Sequence, residues 1–314
     1  MRPVSALLVA SAVAAAAAWA AQPIARIATG RGPCGVAAGY GSVWIAVYDT
    51  GQVLRIDPRR NRVTKRIRVA KGVCPLAIGA GAVWVASDRA NVLYRIDPKR
   101  SRITKRIAVA KWPAHVTVAF GSVWVSGYET GEVLRIDPRT SRLSRVYETG
   151  GNPSGLAQSD GALWVAFGRG ASVGRLDVAT GTVTQVPLGH RAPGFLERIG
   201  DSLWTTTGDG FALRLNGDTG AVTAAFRIGG TPAQPAAAPD GTVWIAEKER
   251  NTVTRIDPAT NAIVDVSPAG RGALGIATAR GDMWVTSYAG SASGASAATA
   301  RSACTRARCR PRAA

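Results

Sequence analysis

Long hydrophobic runs, paired cysteine motifs and aromatic residues are all scarce in this chain of 314 residues. After the first 22 residues, no segment is long and apolar enough to cross a bilayer, which argues against an integral membrane protein. The four Cys lack the Cys-x-x-Cys spacing of zinc and redox sites. Aromatic residues make up only 6% of the chain, yet nine of them are Trp, an unusual concentration of one residue type.

The first 21 residues have the features of a secretory signal peptide. Met1-Arg2 is a short basic start, residues 4–18 form an uncharged Ala-rich stretch, and Ala18-Trp19-Ala20 fits the small-x-small cleavage pattern. A membrane anchor is the alternative, but the apolar stretch is short for a span of about 20 residues. We therefore expect a soluble mature protein in the periplasm or outside the cell, where disulfide bonds are the default.

A forty-residue repeat dominates the chain. Trp recurs seven times at intervals of forty residues, from Trp44 to Trp284, in a frame such as Gly-Ser-Val-Trp-Ile-Ala over 41–46. Eleven residues after the Trp comes Arg-Ile-Asp-Pro, as at 55–58. Short β-branched runs separated by Gly turns predict four antiparallel strands per unit. A lone four-stranded sheet cannot bury both faces, so seven units predict an all-β, seven-bladed β-propeller.

The first unit shows how a blade is divided. The pattern predicts strand A over 35–38, strand B over 42–47, strand C over 52–56 and strand D over 63–69. Asp57-Pro58 begins the turn between strands C and D, where an Asp carboxylate accepts turn amides and Pro presets φ. The Trp, Arg and Asp that recur from unit to unit are expected to hold the blades together.

The two ends of the repeat region differ from its middle. Residues 24–28 resemble a strand D with no strand C before them, and in a closed propeller such a strand completes the last blade. The propeller is therefore expected over residues 22–288. After Tyr288 the expected strand C is replaced by a segment rich in Gly, Ala and Ser. Residues 289–314 are expected to be a disordered tail that leaves blade seven incomplete.

The frame Gly-Ser-Val-Trp-Val-Ala, with Arg-Ile-Asp-Pro and Gly-x-Pro-x-Gly-Leu-Ala, resembles the YncE-like and streptogramin-lyase-like propellers over about residues 24–288. The resemblance implies the propeller fold. It also implies a candidate activity, because some members are lyases that open the macrocyclic lactone of virginiamycin B by elimination. Those members use Mg²⁺ held by carboxylates and a His as base. One fold carries unrelated functions, so the activity depends on the residues at the site.

Carried over residue by residue, the lyase pattern is only partly present. Glu247 stands shortly after the Trp of a late blade, where the pattern has a metal-binding Glu. The Glu-x-His that the pattern has on the preceding inter-blade loop is replaced by Thr231-Pro232-Ala233-Gln234. His190 is then the candidate base, and Mg²⁺ is the cofactor that the lyase alternative requires. The other hypothesis, and the one that we favour, is a non-catalytic binding module.

The loops that join strand D to the next strand A, and strand B to strand C, meet on one face of a propeller around the central channel. We call this face the channel face. Loops on a rigid support vary freely and are the usual ligand site. The candidate ligand-binding residues on these loops are Tyr48, Trp112, His115, Tyr128, Arg191 and Tyr288.

These candidates also have plainer interpretations. Trp112 with His115 can stack a ring or a sugar, or Trp112 can be a rim aromatic packed on its neighbour. Glu247, Glu249 and Asp209 can bind a cation, or form a solvated loop of mixed charge. Each histidine can act as a base or as an ordinary hydrogen-bonding residue.

The positive charge is concentrated in three blades. Residues 22–150 hold 22 basic and 8 acidic side chains, whereas residues 151–288 hold 11 basic and 12 acidic ones. The basic residues cluster at 59–68, 99–106 and 139–145, on the rim of blades one to three. Such a band can hold an anionic envelope polymer, and export argues against nucleic acid as the partner. The alternative is that Lys and Arg keep outer strands from pairing with other chains.

Cys34 and Cys74 are forty residues apart and so occupy equivalent positions at the start of strand A in the first two blades. Inner strands of adjacent blades can bring Cα atoms within the range of about 4.4–6.8 Å that a disulfide requires. We expect a disulfide between them, and two buried free thiols are the alternative. We also expect the protein to be a monomer.

Overall fold

The computed structural model describes residues 23–289 and 295–301, with the backbone alone for residues 23, 24 and 295–301. These residues form 28 strands, which pair antiparallel in seven four-stranded sheets. Within this part of the chain there is no helix that is long and apolar enough to span a membrane. The signal peptide expected over 1–21, as well as Cys304 and Cys309, lies outside the described residues.

The strands are short and evenly spaced along the chain. In chain order they are β1 Pro23–Gly30, β2 Pro33–Gly39, β3 Ser42–Val47, β4 Gln52–Asp57, β5 Arg62–Arg68, β6 Val73–Gly79, β7 Ala82–Ser87, β8 Val92–Asp97, β9 Arg102–Ala108, β10 Pro113–Ala119, β11 Ser122–Gly127, β12 Glu132–Asp137, β13 Arg142–Glu148, β14 Pro153–Ser159, β15 Ala162–Phe167, β16 Ser172–Leu176, β17 Val183–Pro187, β18 Pro193–Ile199, β19 Ser202–Thr207, β20 Phe211–Asn216, β21 Val222–Arg227, β22 Pro232–Ala237, β23 Val243–Glu247, β24 Thr252–Asp257, β25 Ala262–Pro268, β26 Ala273–Ala279, β27 Asp282–Ser287 and β28 Ala295–Arg301. Each blade is one sheet of four strands, A to D from the axis outward.

The seven sheets form a closed ring. Blades one to six each take four consecutive strands starting from β2, and every strand A contacts the strand A of both neighbouring blades. The ring closes because strand A of blade seven, β26, also contacts β2 of blade one. The predicted seven-bladed all-β propeller is confirmed, and the strands of blade one begin and end within two residues of their predicted bounds.

In blades one to three the repeated Trp, Arg and Asp hold the blade together, as predicted. In blade one, the Trp44 ring is fully buried in strand B, and its Nε1 donates to the carbonyl of Gly39 at 3.2 Å. The guanidinium of Arg55 on strand C lies 5.5 Å from the centre of that ring. Asp57 Oδ1 accepts the backbone N–H of Arg59 at 2.8 Å, and this bond lowers the pKa of the Asp57 carboxyl.

The apolar core lies between neighbouring blades. One buried cluster joins Trp44, Val53 and Ile67 of blade one to Val85 and Ile96 of blade two, and comparable clusters fill other spaces around the ring. Each strand B is almost wholly buried, whereas each strand D has one side in solvent. Blade-to-blade contact therefore supplies most of the burial that stabilises the ring.

Blade seven is closed by the N-terminal strand, as predicted, but it also has a third strand that the sequence did not predict. Its sheet runs β26, β27, β28 and β1. Residues 295–301 thus form strand C, where we expected a disordered tail. Residues 295–301 pair with β27 on one side and with β1 on the other, which satisfies backbone groups of both neighbours that would otherwise lack partners in the sheet. Residues 290–294 and 302–314 lie outside the described residues.

Cys34 and Cys74 form a disulfide with a Cα separation of 5.1 Å, as predicted. The bond joins β2 to β6, the inner strands of blades one and two, near the axis. On the other side of β2, Thr286 Oγ1 of blade seven donates to the carbonyl of Cys34 at 2.7 Å. Strand A of blade one is therefore tied to both of its neighbours. A structural disulfide is consistent with a protein that lies in an oxidising compartment outside the cytoplasm.

Candidate ligand-binding face and central channel

The channel face is built where the loop after strand B meets the loop before strand A. In blade one, the backbone N–H of Tyr48 donates to the carbonyl of Gly32 at 2.7 Å. The first residue after strand B makes the equivalent bond in all seven blades. Side chains on these loops therefore start from fixed backbone positions, which is what a preformed binding surface requires.

Tyr48 and Tyr288 meet at the seam between blades one and seven. Their ring centroids are 6.0 Å apart with the rings edge to face. Tyr48 Oη donates to Asp88 Oδ2 at 2.9 Å, and the guanidinium of Arg89 lies 5.1 Å from the centre of the Tyr48 ring. Lys248 Nζ lies 5.4 Å from the centre of the Tyr288 ring. Burial raises the pKa of both Tyr hydroxyls, so both remain neutral hydrogen-bond donors at neutral pH.

Trp112 and Tyr128 form a second aromatic pair on blade three. Their ring centroids are 5.7 Å apart, and the guanidinium of Arg169 lies 5.6 Å from the centre of the Tyr128 ring. Trp112 is 48% exposed, whereas the seven repeated Trp are at most 1% exposed. A Cβ on Gly168 would lie 2.7 Å from the Tyr128 ring, so the glycine makes room for that ring. The pair is a rigid aromatic surface that is open to solvent.

His190 and Asp209 form a hydrogen-bonded pair on the loops of blade five. His190 Nδ1 lies 3.0 Å from Asp209 Oδ2, and the imidazole lies against Phe211 with ring centroids 4.4 Å apart. Burial acts to raise the pKa of Asp209, but hydrogen bonds from Thr207 and His190 outweigh it, and the pKa is lowered. Arg191 is exposed beside this pair. The carboxylate orients the imidazole, which is a feature of general bases and of structural histidines alike.

Glu247 has a structural role that the sequence did not reveal. It is the last residue of strand B in blade six, and its side chain is fully buried. Its Oε1 accepts the backbone N–H of Thr231 at 2.7 Å and that of Glu249 at 3.0 Å, and its Oε2 accepts from Arg250. The carboxylate therefore fixes the two loops of blade six to each other.

Mg²⁺, the cofactor implied by the lyase alternative, does not fit these residues. Both oxygens of Glu247 already accept backbone N–H groups, which leaves them poorly placed to bind a metal. Within the described residues, no group of three or more His, Cys, Asp or Glu side chains could hold a metal ion. No reaction step is therefore assigned to a metal at Glu247.

His115 lies inside the channel and not on a loop, which corrects the prediction. It belongs to strand A of blade three, because β10 begins at Pro113. His115 lines two cavities of the channel. The upper cavity, nearer the channel face, has a volume of about 90 Å³, and the lower cavity, farther from that face, has a volume of about 350 Å³. Burial lowers the pKa of His115 to about 4, so its imidazole is neutral at physiological pH. Trp112 and His115 therefore belong to different surfaces.

Sequence reasoning missed the polar pair in the lower cavity, Glu197 and Gln234. Gln234 Nε2 donates to Glu197 Oε1 at 3.2 Å, and burial raises the pKa of the Glu197 carboxyl to about 7. A signal for Glu197 was present in the repeat. The residue seven positions before the repeated Trp is Ala in five units and Thr in one, and only the fifth unit has an acidic residue there.

Many solved structures are similar to this chain, among them the following three, which match it across most of its length. Hydrazine synthase from Kuenenia stuttgartiensis has a TM-score of 0.67 at 16% identity, and the match covers 82% of this chain and 93% of that one. Virginiamycin B lyase from Staphylococcus aureus has a TM-score of 0.73 at 21% identity, with 86% and 94% covered. A catalytically inactive variant of that lyase, with quinupristin, has a TM-score of 0.75 at 20% identity, with 88% and 98% covered.

No family model and no curated protein matches the chain. The likeness in fold to virginiamycin B lyase confirms the expected resemblance at the level of architecture. At about one identical residue in five, shared architecture carries no activity with it. The function of this propeller must be argued from its own side chains.

Proposed function

We propose that this protein is an exported, non-catalytic binding module that holds its ligand on the channel face. The observation that carries the proposal is the Trp112–Tyr128 pair, with Trp112 48% exposed and Arg169 placed over the Tyr128 ring. A large aromatic side chain fixed by its loop and left open to solvent is suited to stack on a sugar or an aromatic ring. A disulfide in strand A and the signal-peptide features of residues 1–21 support export.

The alternative is a Mg²⁺-dependent lyase of the virginiamycin B lyase type. It is supported by the shared fold and by the His190–Asp209 pair, whose imidazole is oriented as a base would be. It is weakened because the carboxylate oxygens of Glu247 are occupied by backbone amides. We therefore place the lyase second.

Incubation with virginiamycin B and Mg²⁺, followed by liquid chromatography with tandem mass spectrometry, separates the two functions, because ring opening by elimination gives a linear isomer of the same mass that differs in retention and fragmentation. The binding module leaves the macrocycle intact. Ring opening that stops with a chelator and with His190→Ala would overturn the proposal in favour of the lyase.

Calorimetric titration with chitohexaose, maltohexaose and virginiamycin B tests the binding face itself. Removal of the aromatic platform in Trp112→Ala should weaken the binding of at least one of these probes by about tenfold or more, about 1.4 kcal/mol. The control is Val264→Ala, because Val264 is 45% exposed on the outer strand of blade six, far from the channel face. Equal binding by Trp112→Ala and the wild-type protein would contradict the placement of the site.

A second contact, with an anionic envelope polymer, is favoured by the outer strands of blades one to three. Strands β5, β9 and β13 expose Lys and Arg side chains, whereas β17 of blade four has neither residue type. Arg145 is an exception in this band, because its guanidinium bonds to the carbonyls of Val178, Ala179 and Thr180. Arg66 also donates to Gln52 Oε1 at 3.5 Å, and the guanidinium of Arg106 lies 5.8 Å from the centre of the Tyr94 ring, but both side chains are exposed and can contact a polyanion.

Heparin chromatography tests this band, with heparin as a model polyanion. Lys65→Gln with Arg66→Gln should elute at lower salt than the wild-type protein, because fewer cations contact the polymer. Thr184→Glu with Gln185→Glu changes the net charge by the same amount on blade four and should elute close to the wild-type protein. An equal shift in both variants would show that net charge, and not the band, determines binding.

A further inference from the structure

The lower cavity of the channel has one carboxylate, Glu197, in a wall made mainly of small and aliphatic residues. Strand A places one residue opposite each repeated Trp, and Glu197 is opposite Trp204. The six equivalent residues are small and uncharged, namely Ala37, Ala77, Thr117, Ala157, Ala236 and Ala277. All of the seven except Ala157 line the cavity of about 350 Å³.

Glu197 has no cationic partner among the described residues. Its hydrogen bond comes from Gln234, a neutral amide that is also held by the backbone N–H of Ile276 at 3.4 Å. Arg198 follows Glu197 on β18, but its Nε donates to the carbonyl of Gly200 at 3.1 Å and its Nη2 lies 3.9 Å from Asp201 Oδ1. A partly buried carboxylate without a countercharge destabilises the fold unless a cation or a proton neutralises it.

The other groups that face this carboxylate do not supply that charge. Apart from Glu197, the titratable side chains of the cavity wall are His115 on β10 and Arg198. The neighbouring strands β14, β15, β19 and β22 contain no titratable side chains. Burial keeps His115 neutral above about pH 4. The negative charge is therefore available to a ligand.

The cavity wall indicates the chemistry of that ligand. Sites for Mg²⁺ and Ca²⁺ collect several oxygen ligands, commonly with more than one carboxylate. This wall has one carboxylate, the Gln234 amide, the Thr117 and Thr278 hydroxyls, His115 and Arg198, and its other side chains are Ala, Val, Leu, Ile and Pro. An organic ammonium ion needs one negative charge and apolar walls for its carbon chain. We infer that the lower channel is a binding site for a small organic cation, a primary amine with a short apolar chain, whose ammonium group pairs with Glu197.

This site is separate from the channel face. The wall of the cavity reaches Arg198, Ile199 and Thr278, at the ends of strands A that lead into the turns on the opposite side of the ring. Between this cavity and the channel face lies the smaller upper cavity of about 90 Å³, which is lined by Phe195, His115 and the Cys34–Cys74 disulfide. The inference consequently does not rest on the function proposed for the Trp112–Tyr128 pair.

Ligand-observed NMR with butylammonium chloride tests the inference, and 1-butanol serves as the neutral probe of equal size. At pH 8 and matched ionic strength, butylammonium should bind the wild-type protein. Its affinity should fall about tenfold or more at pH 5.5, where Glu197 is protonated. The affinity for 1-butanol should not change with pH.

Two variants complete the test. Glu197→Gln keeps the size and the hydrogen-bonding capacity of the side chain and should lose at least tenfold in butylammonium affinity at pH 8. The matched control is Glu148→Gln, an exposed carboxylate on β13, which should bind as the wild-type protein does. The inference is overturned if the wild-type protein does not bind butylammonium at pH 8, or if Glu197→Gln binds it within twofold of the wild-type affinity. The pH series on the wild-type protein decides the question independently of how well either variant folds.

Discussion

The same forty-residue repeat forms two regions of the propeller. The blade frame consists of the repeated Trp, Arg and Asp, the channel wall consists of the inner strands A, and the two regions differ in how constant their residues are from blade to blade. In the frame, the Trp of strand B is buried in every blade, and in blades one to three an Arg of strand C lies over it. In the wall, the residue opposite that Trp is Ala in five blades, Thr117 in one and Glu197 in another. Frame side chains find their partners mainly within their own blade or the next one. Glu197 also has a partner in the next blade, Gln234, but its side chain lines an open cavity.

This difference separates structure from function within a repeat protein. A residue that recurs in every blade meets a need that every blade has, such as filling the space between sheets. A residue that departs from the repeat at a wall position meets no such need, and at Glu197 its burial has a cost. Departures from the repeat are therefore where ligand contacts should be sought.

The largest expected effect is on the frame. Trp124→Ala should lower the free energy of unfolding by about 3–5 kcal/mol, because a buried Trp is replaced by a cavity and the Nε1 bond to Ala119 is lost. Trp112→Ala, at an exposed position of the same blade, should change it by no more than about 0.5 kcal/mol. Urea unfolding of both variants measures the difference. Similar losses would remove the distinction between frame and channel face.

The next largest effect concerns the Cys34–Cys74 disulfide, which cross-links two inner strands of the channel wall. Cys34→Ser with Cys74→Ser should lower the free energy of unfolding by about 3–4 kcal/mol, since the unfolded chain loses a constraint on a loop of this length. A reducing agent should destabilise the wild-type protein and leave the double variant unchanged. If the reducing agent affects neither protein, the bond does not form in solution.

A smaller effect, with a characteristic pH dependence, is expected at Glu197. The pKa of its carboxyl is raised from 4.5 to about 7, so the folded protein holds a proton that the unfolded chain releases. The free energy of unfolding should therefore fall as the pH rises from about 4.5 to 7. Glu197→Gln should be more stable than the wild-type protein at pH 8, by about 2–3 kcal/mol, and equally stable near pH 4.

Thermal unfolding over this pH range measures the contribution of Glu197. A wild-type protein that is as stable as Glu197→Gln at pH 8 would show that the carboxylate is well solvated. The Glu197 carboxylate would then not destabilise the fold, and this difference between the channel wall and the blade frame would disappear.

The smallest effect is expected at the turn carboxylates of the frame, where the sign is reversed. The backbone N–H of Arg139 lowers the pKa of Asp137, so its stabilising effect is present above about pH 4 and is lost as the pH falls through the lowered pKa. Blade five has Asn216 at this position, and its Oδ1 accepts the same pair of turn amides. Asp137→Asn should therefore fold normally at pH 7 and show a weaker acid dependence of its melting temperature. An unchanged acid profile would contradict this role.

The sequence predicted the frame well because the frame is what the repeat encodes. Seven Trp at a constant spacing predicted seven blades, and the equivalent places of Cys34 and Cys74 predicted the disulfide. The closing strand at the N-terminus was predicted because it lacked a partner in its own unit.

The sequence failed to predict features that are determined by a single residue's environment or by backbone pairing with neighbouring strands. Strand β28 has no β-prone pattern, and its place is set by the two strands beside it. His115 was assigned to a loop because it stands at the predicted boundary between the loop and strand A, but β10 begins two residues earlier, at Pro113. Glu247 resembled a metal ligand, but the orientation of its carboxylate toward backbone amides is a tertiary property. The partner of Glu197 is on another blade, at Gln234, and no local pattern connects the two.

A crystal structure of the protein grown at pH 8 with butylammonium chloride would test most directly the claim that ligands bind where the blades differ. The account predicts the ammonium nitrogen at about 3 Å from a carboxylate oxygen of Glu197, with the butyl chain against the alanines of the lower cavity. Butylammonium bound only outside the channel, with water alone beside Glu197, would contradict it.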